Sequence, residues 1–222
     1  SSKVMERLIC LAVGYVCGLF QTGYLVGKFN HVDIRKQGSG NAGTTNALRV
    51  MGWKAGILTF AGDVIKLVVA AVIVRFLYRG TDCLPLLVMY AGAGVTLGHN
   101  FPFYMNFKGG KGIAVMAGLV LINSFWKMPE SLLLIPITLA FFLVPVIVTR
   151  YISVGSLAAY TAFLVEMILI GQCGWLDMEQ GYLYELYIVL FVLTALAWYR
   201  HRANIGRLMA GTENKFGSKK KE

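Results

Sequence analysis

The sequence predicts an all-α polytopic membrane protein, a seven-transmembrane-helix bundle, on three observations. Hydrophobic residues make up 57% of the 222 and charged residues only 14%, whereas a soluble domain carries about 25% charged residues. Mean hydropathy is +0.63. Apolar runs recur along the whole chain rather than in one leader-like block, and they are long enough to cross a bilayer, which takes about 20 residues. The length suits one compact bundle, so residues 1–222 are read as a single integral-membrane domain.

The runs fall near 4–26, 53–77, 84–104, 113–126, 131–149, 152–172 and 182–199. In the first, Cys10 and Cys17 lie seven apart and so share a helix face. The second holds Asp63 and Lys66, three apart and able to neutralise each other on one face. The third ends in a polar, glycine-containing stretch, which softens its boundary. The fourth is short for a full crossing. Glu166 stands in the sixth with no partner nearby in sequence. Cys10, Cys17, Cys83 and Cys173 form no C-x-x-C pair and keep no metal-ligand spacing with a histidine, so all four are read as packing residues. Neither a metal nor a cofactor is expected.

Topology follows from the basic residues, because cytoplasmic loops carry an excess of Lys and Arg. Lys28, Arg35, Lys36, Arg49 and Lys54 follow the first run, Lys108 and Lys111 the third, and Arg150 the fifth. Arg200, Arg202, Arg207, Lys215, Lys219, Lys220 and Lys221 follow the last. The other side keeps Lys3, Arg7, Arg75, Arg79 and Lys127 together with Asp82, Glu130, Asp177, Glu179 and Glu185. An odd number of spans with this bias puts the N-terminus outside and the C-terminus in the cytoplasm. A net charge of +10 would point to nucleic acid in a soluble protein. Here the charge sets topology, meets anionic lipid or binds an anionic substrate, and no nucleic-acid partner is expected. The basic tail over 217–222 reads as a solvated end near anionic lipid.

Three polar clusters interrupt the hydrophobic pattern, all on the predicted cytoplasmic side. Such convergence near a membrane bundle marks a substrate site. The first is G-S-G-N-A-G-T-T-N-A-L-R, residues 38–49. Its glycines let backbone N–H groups face an anion. Thr44 or Thr45 can cap a helix, at whose N-terminus a phosphate would bind, with Asn46 and Arg49 on one face. The second is Gly98-His99-Asn100-Phe101-Pro102, followed by Phe107-Lys108-Gly109-Gly110-Lys111-Gly112. It has the physics of a phosphate loop but not the Walker A pattern, since Gly112 stands where that motif has Ser or Thr for Mg²⁺. His99 alone reads as structural. The third, residues 201–213, places His201, Asn204 and Arg207 on one face if the last span continues as a helix, with Gly211 to end it.

In order, spacing and membrane context, these clusters resemble the signature of the acyl-phosphate:glycerol-3-phosphate acyltransferases, the PlsY family of bacterial phospholipid synthesis. The matching stretches are G-S-G-N-A-G-T-T-N-A-L-R, G-H-N-F-P-F-Y-M-N-F-K-G-G-K-G and H-R-A-N-I-G-R-L-M-A-G-T-E. Departures are Ala42 for the family's usual Pro, Thr44 for Ala, and Leu67 where a Gly often closes an Asp-x-x-Lys-Gly element. The resemblance implies seven membrane helices in the bacterial inner membrane with the site facing the cytoplasm. It implies transfer of a fatty acyl group from acyl phosphate to the 1-hydroxyl of glycerol 3-phosphate, giving lysophosphatidic acid and phosphate, and we expect a monomer.

An acyl phosphate is already activated, and the chain has no Gly-x-Ser-x-Gly elbow, no Cys in the clusters and no His-x-x-x-x-Asp element. Direct attack by the acceptor hydroxyl is therefore the economical mechanism. On that reading Ser39, Asn46, Arg49, His201 and Asn204 are the catalytic candidates. Gly40, Asn41, Gly43, Thr45, Lys108, Gly109, Gly110, Lys111, Gly112, Arg202 and Arg207 are the substrate and phosphate ligands. The acceptor proton goes to His201 or to a phosphate oxygen of the substrate. A transporter of a phosphorylated metabolite is the rival reading, but the external loops hold acidic residues and no comparable cluster.

Overall fold

The computed structural model describes residues 2–217, and every regular element in that range is helical. The α-helices are α1 (Ser2–Gly18), α2 (Thr22–Phe29), α3 (Thr44–Met51), α4 (Trp53–Leu77), α5 (Leu84–Asn100), α6 (Ile113–Asn123), α7 (Leu134–Thr149), α8 (Ile152–Gln172), α9 (Gln180–Arg200) and α10 (Arg202–Ala210). Five stretches are long and apolar enough to cross a membrane: Lys3–Phe29, Trp53–Leu77, Glu130–Thr149, Ile152–Gln172 and Gln180–Arg200. Two of the seven expected spans are shorter, α5 with 17 residues and α6 with 11. The tail lysines Lys219, Lys220 and Lys221 lie outside the described residues.

α5 is the centre of the bundle. A helix that is apolar all round must be covered all round, and α5 packs against α1, α4, α6 and α9, burying Leu86, Leu87, Val88 and Met89. α7 is its opposite: it buries only Leu134 and Thr138 and leaves Phe141, Val144, Ile147 and Val148 exposed. Such a surface suits acyl chains as solvent.

The closest approach is between α1 and α5, and glycine makes it possible. Gly14 and Gly18 on one helix, and Gly94 and Gly98 on the other, are each four apart, the small-x-x-x-small spacing that lets two membrane helices touch backbone to backbone. A Cβ on Gly14 would overlap the Ala91 carbonyl, on Gly94 that of Leu11, and on Gly98 that of Tyr15.

The helix of the first span is interrupted. It breaks at residues 19–21, between α1 and α2. Carbonyls freed at this break and at the end of α5 need partners from the protein itself, and side chains supply them. The buried Gln21 amide nitrogen lies 3.1 Å from the His99 carbonyl and 3.3 Å from that of Gly98. Lys66 Nζ donates to the carbonyls of Gly18 at 3.2 Å and Phe20 at 2.8 Å. Lys66 also sits 3.2 Å from Asp63, as their spacing in α4 foretold. Glu166 finds a partner on the neighbouring helix, where Thr138 donates to it at 2.6 Å. All four cysteines are free, and the packing reading fails for Cys173, which is exposed. Away from the polar clusters, Arg7 grips Glu185 through two nitrogens at 2.5 and 2.9 Å, and Tyr90 donates to the same carboxylate.

A side chain at the α1–α5 crossing has nowhere to go. Gly94→Leu is expected to cost at least 1–3 kcal/mol, the usual range for overpacking, read as an earlier midpoint in a denaturing-detergent titration. An unchanged midpoint would show that the two helices part easily.

Candidate active site

Asn46 organises the first cluster. It is buried at the start of α3, and its Oδ1 accepts from the Ser39 N–H at 3.0 Å. Its amide hydrogens are shared among the carbonyls of Ile34, Gln37 and Asn41 at 3.0–3.2 Å. Gly38 has φ of +58°, and any Cβ there would overlap Asn46 Oδ1. Asn46 therefore shapes the loop as well as lining the cavity, a supporting role that its position in the sequence did not suggest. The expected capping by Thr44 or Thr45 does not occur. Gly43 is the N-cap of α3 and no side chain caps it.

The second cluster folds over the end of α5. The Gly109 N–H donates to the Asn100 carbonyl at 2.9 Å. Arg200 clamps the carbonyls of Gly109 and Gly110 at 2.9 and 3.0 Å. The amides of Gly110, Lys111 and Gly112 have no partner among the described residues, and the last of these is the N-cap of α6. That is the backbone arrangement of an anion cradle.

The third cluster is not one continuous helix. α9 stops at Arg200, His201 forms the joint, and α10 runs from Arg202 to a left-handed Gly211, where the Thr212 N–H closes on the Arg207 carbonyl at 2.8 Å. The turn carries Glu213 back inside. Its carboxylate accepts from Ser153 at 2.8 Å, from Asn204 and Arg207 at 2.9 Å each, and from the Asn214 N–H at 3.1 Å. Asn204 in turn accepts from Lys111 Nζ, so one carboxylate orients residues of the second and third clusters together.

These elements enclose two adjoining clefts at one end of the bundle. The inner one, about 660 Å³, is lined by Ser39, Asn41, Gly43, Thr45, Asn46 and Arg49 from the first cluster. Lys111, Gly112, His201, Asn204 and Arg207 join them, as do apolar Leu48, Ile113, Ala114 and Ile152. The outer cleft, about 810 Å³, takes Gly40, Lys108, Gly109 and Arg202 and shares Ser39, Asn41, Lys111 and Arg207 with the inner one. Arg35, Lys36 and Arg200 also line it, against Asp33 alone among carboxylates, and Asp33 is already paired with Arg35 at 2.9 Å. Gly110 lines neither cleft and packs on the His99 ring instead. Among the other residues that face the inner cavity and that the sequence did not single out as site residues are Glu213, Ser153, Ser156, His99 and Asp63.

The electrostatics favour an anion. Burial pushes the Lys111 ammonium down to about 8, and nearby Arg207, Arg200 and Arg49 push the same way, against Glu213. Burial also lowers His201, helped by Lys111 and Arg200 and opposed by its bond to the Ala197 carbonyl. For Glu213 burial raises the carboxyl, but the bonds from Arg207, Asn204 and Ser153 outweigh it and hold it below its ordinary value. Arg49 has no ion-pair or hydrogen-bond partner among the described residues.

An all-helical membrane protein with a cation-walled double cleft at one end is the class these features define. A family model described as glycerol-3-phosphate acyltransferase matches residues 8–211. The glycerol-3-phosphate acyltransferase of Clostridioides difficile is 40% identical over 220 residues, covering 98% of this chain and 99% of that one. That of Thermoanaerobacter pseudethanolicus is 38% identical over 216 residues, covering 97% and 98%. Among solved structures, PlsY (YgiH), an integral membrane glycerol 3-phosphate acyltransferase, matches in its glycerol 3-phosphate form with a TM-score of 0.77 and 31% identity, over 95% of this chain and 96% of that one. Its lysophosphatidic acid form matches with a TM-score of 0.76 over 95% of each. The chain belongs to the glycerol-3-phosphate acyltransferase family, as its three clusters foretold.

If Asn46 holds the loop, removing its amide leaves several backbone groups unmatched. Asn46→Ala is expected to destabilise residues 34–43 by about 1–3 kcal/mol, read as faster amide hydrogen exchange confined to that loop. Unchanged protection there would show that the loop does not depend on Asn46.

Proposed function

We propose that the protein transfers a fatty acyl group from an acyl phosphate to the 1-hydroxyl of glycerol 3-phosphate, releasing lysophosphatidic acid and inorganic phosphate. The observation that carries this reading is the pair of adjoining clefts sharing Lys111 and Arg207 as a common wall. Two phosphate anions must approach closely for acyl transfer, and shared cations between them offset their repulsion. The glycerol 3-phosphate and lysophosphatidic acid forms of the solved relative fit such a site.

In the proposed mechanism the acceptor oxygen attacks the acyl carbonyl directly, the C–O bond to phosphate breaks, and no acyl-enzyme forms. Arg49 and Lys111 hold phosphate by charge, with the unpartnered amides of Gly110, Lys111 and Gly112 beside them. Ser39, Asn41 and Thr45 orient the donor, and Lys108 and Arg202 gather anions in the outer cleft. Binding both anions in reacting geometry is itself the larger part of such catalysis. On this reading His201 is one of two groups that can take the acceptor proton. Its Nδ1 lies 2.7 Å from the Ala197 carbonyl, which can only accept, so Nδ1 carries the hydrogen and Nε2 keeps its lone pair. A phosphate oxygen of the substrate is the other available base.

We further infer that α5 and α6 complete seven crossings, with the N-terminus outside and the site and C-terminus at the cytoplasmic face of the bacterial inner membrane. The protein acts on this reading as a monomer. At 1.5 Å per residue α5 extends about 26 Å, close to the hydrocarbon thickness, and the basic residues concentrate at the site end.

Purified protein in lipid, given palmitoyl phosphate and radiolabelled glycerol 3-phosphate, is expected to form labelled lysophosphatidic acid, and Arg49→Ala to lose at least tenfold in kcat/KM. A folded preparation that makes no product would overturn the reading. His201→Ala separates the two bases: a loss of about 10²–10⁴-fold makes His201 the base, and a much smaller loss assigns the substrate phosphate.

The ammonium of Lys111 binds phosphate and the neutral amine does not. With Lys111 pushed down to about 8, kcat/KM is expected to fall as pH rises through that value in the free enzyme. Lys111→Arg should move this alkaline limb to higher pH. A limb that stays in place would remove Lys111 from phosphate binding.

A further inference from the structure

His99 lies at the floor of the inner cavity, buried at the end of α5, and the reaction as described leaves it without a task. Its surroundings fix which ring nitrogen carries the hydrogen. Lys66 Nζ is 2.7 Å from His99 Nδ1 and also touches the Gly18 and Phe20 carbonyls and Asp63. An ammonium only donates, so Nδ1 must accept and the hydrogen sits on Nε2. Asp63 Oδ1 lies 4.0 Å from Nδ1, too far to draw a proton there. The Nε2 edge of the ring then faces Gly110, which is so close that a Cβ at Gly110 would lie 2.5 Å from Nε2. That nitrogen has no partner among the described residues.

We propose that His99 is a further substrate-binding residue, locked by Lys66 as the Nε2–H tautomer, and that it donates to a phosphate held in the inner cavity beside Lys111 and Gly112. Lys66 and Asp63 are its positioning residues. The same cavity then holds two histidines in opposite tautomers. His201 offers a lone pair because a carbonyl takes its Nδ1 hydrogen, and His99 offers an N–H because an ammonium occupies its Nδ1. One is fitted to receive a proton and the other to steady an anion. The choice is written into the neighbours of each ring, not into the ring itself. The Asp63–Lys66 pair thus gains a purpose beyond mutual neutralisation: it sets the polarity of a side chain in the site.

The activity half of this inference rests on the acyltransferase reading, and the tautomer half does not. The chain has three histidines, so ring-¹⁵N-labelled protein in bilayers can be assigned with His31→Gln and His201→Gln variants. At neutral pH the His99 signals are expected to show a bare Nδ1 and a protonated Nε2. Lys66→Met should shift them toward the other tautomer or a mixture, and Lys66→Arg should restore them. A parent protein with the hydrogen on Nδ1 would overturn the proposal without any variant.

In the acyl-transfer assay His99→Gln keeps an N–H donor near the Nε2 position, whereas His99→Leu and His99→Asn do not. His99→Gln is expected to stay within about tenfold of the parent in kcat/KM, and the other two to lose about 10- to 100-fold, the worth of a hydrogen bond to a charged group. Equal losses in Gln and Leu variants that remain folded would overturn the donor role. A parent that carries the expected tautomer yet makes no lysophosphatidic acid would refute the reaction instead, and inorganic phosphate then serves as the probe. Its binding should weaken in His99→Leu and survive in His99→Gln, and equal phosphate affinity in both would end the proposal.

Discussion

A single ammonium group inside the bundle, that of Lys66, is the point from which the rest of the architecture can be derived. An ion so deeply buried is tolerated only if its surroundings answer every hydrogen it carries. Its three hydrogens meet the Gly18 and Phe20 carbonyls at the break between α1 and α2 and the His99 ring at the end of α5, and Asp63 on its own helix supplies the opposite charge. The break in the first apolar run is therefore not a defect of that helix. It supplies the acceptors that Lys66 needs, and Lys66 in return satisfies carbonyls that no helix could. Four helices are tied at one point by this exchange, just beneath the glycine loop of the site.

The second constraint is the approach of α1 to α5. With glycine at all four contact positions the two backbones meet without side chains between them, and this brings the break next to the end of α5. Gln21 can then reach the His99 carbonyl, and the loop of residues 101–112 is left to fold over the histidine. Glu213 does for the other wall what Lys66 does for the floor. It is a lone carboxylate among cations, held by Ser153, Asn204, Arg207 and the Asn214 amide, and through Asn204 it orients Lys111. The site is thus cationic toward its contents but internally neutralised where its parts join.

Much of this was legible in the sequence, for identifiable reasons. Helices in an apolar medium must be long and continuous to satisfy their backbones, so six of the seven runs read off hydropathy match helices within a few residues, α6 among them despite its length. The polar clusters were legible because polar residues at a membrane bundle stand out against everything near them. What could not be read was pairing between distant segments. The glycines at 14, 18, 94 and 98 carry the small-residue spacing plainly, yet nothing in one chain says that these two helices face each other. Asn46 suits a substrate ligand by type and position, but its second task was invisible: only the folded loop shows three carbonyls waiting for its amide. Ser153 carries no local signal at all, being a serine at the start of an apolar helix until Glu213 arrives from 60 residues further on.

On the proposed chemistry, the position of the site at one end of the bundle follows from its substrates. A fatty acyl chain belongs in hydrocarbon and a phosphate in water, and the bond between them must be cut where those media meet. Helix termini are the natural place, since they present unpaired amides exactly where the apolar wall ends, as α6 does with Ile113 and Ala114 below Gly112. The inner cavity has both kinds of lining for this reason, and the outer cleft, which needs to hold only anions, gathers lysines and arginines among glycines and small polar residues. The same logic explains why the Lys66–Asp63–His99 group is buried. Water would let the imidazole exchange tautomers freely, whereas a dry floor keeps the hydrogen on the nitrogen that the substrate meets. A group that must present one fixed donor to a transient anion is best set on buried neighbours, and that is where this chain places it.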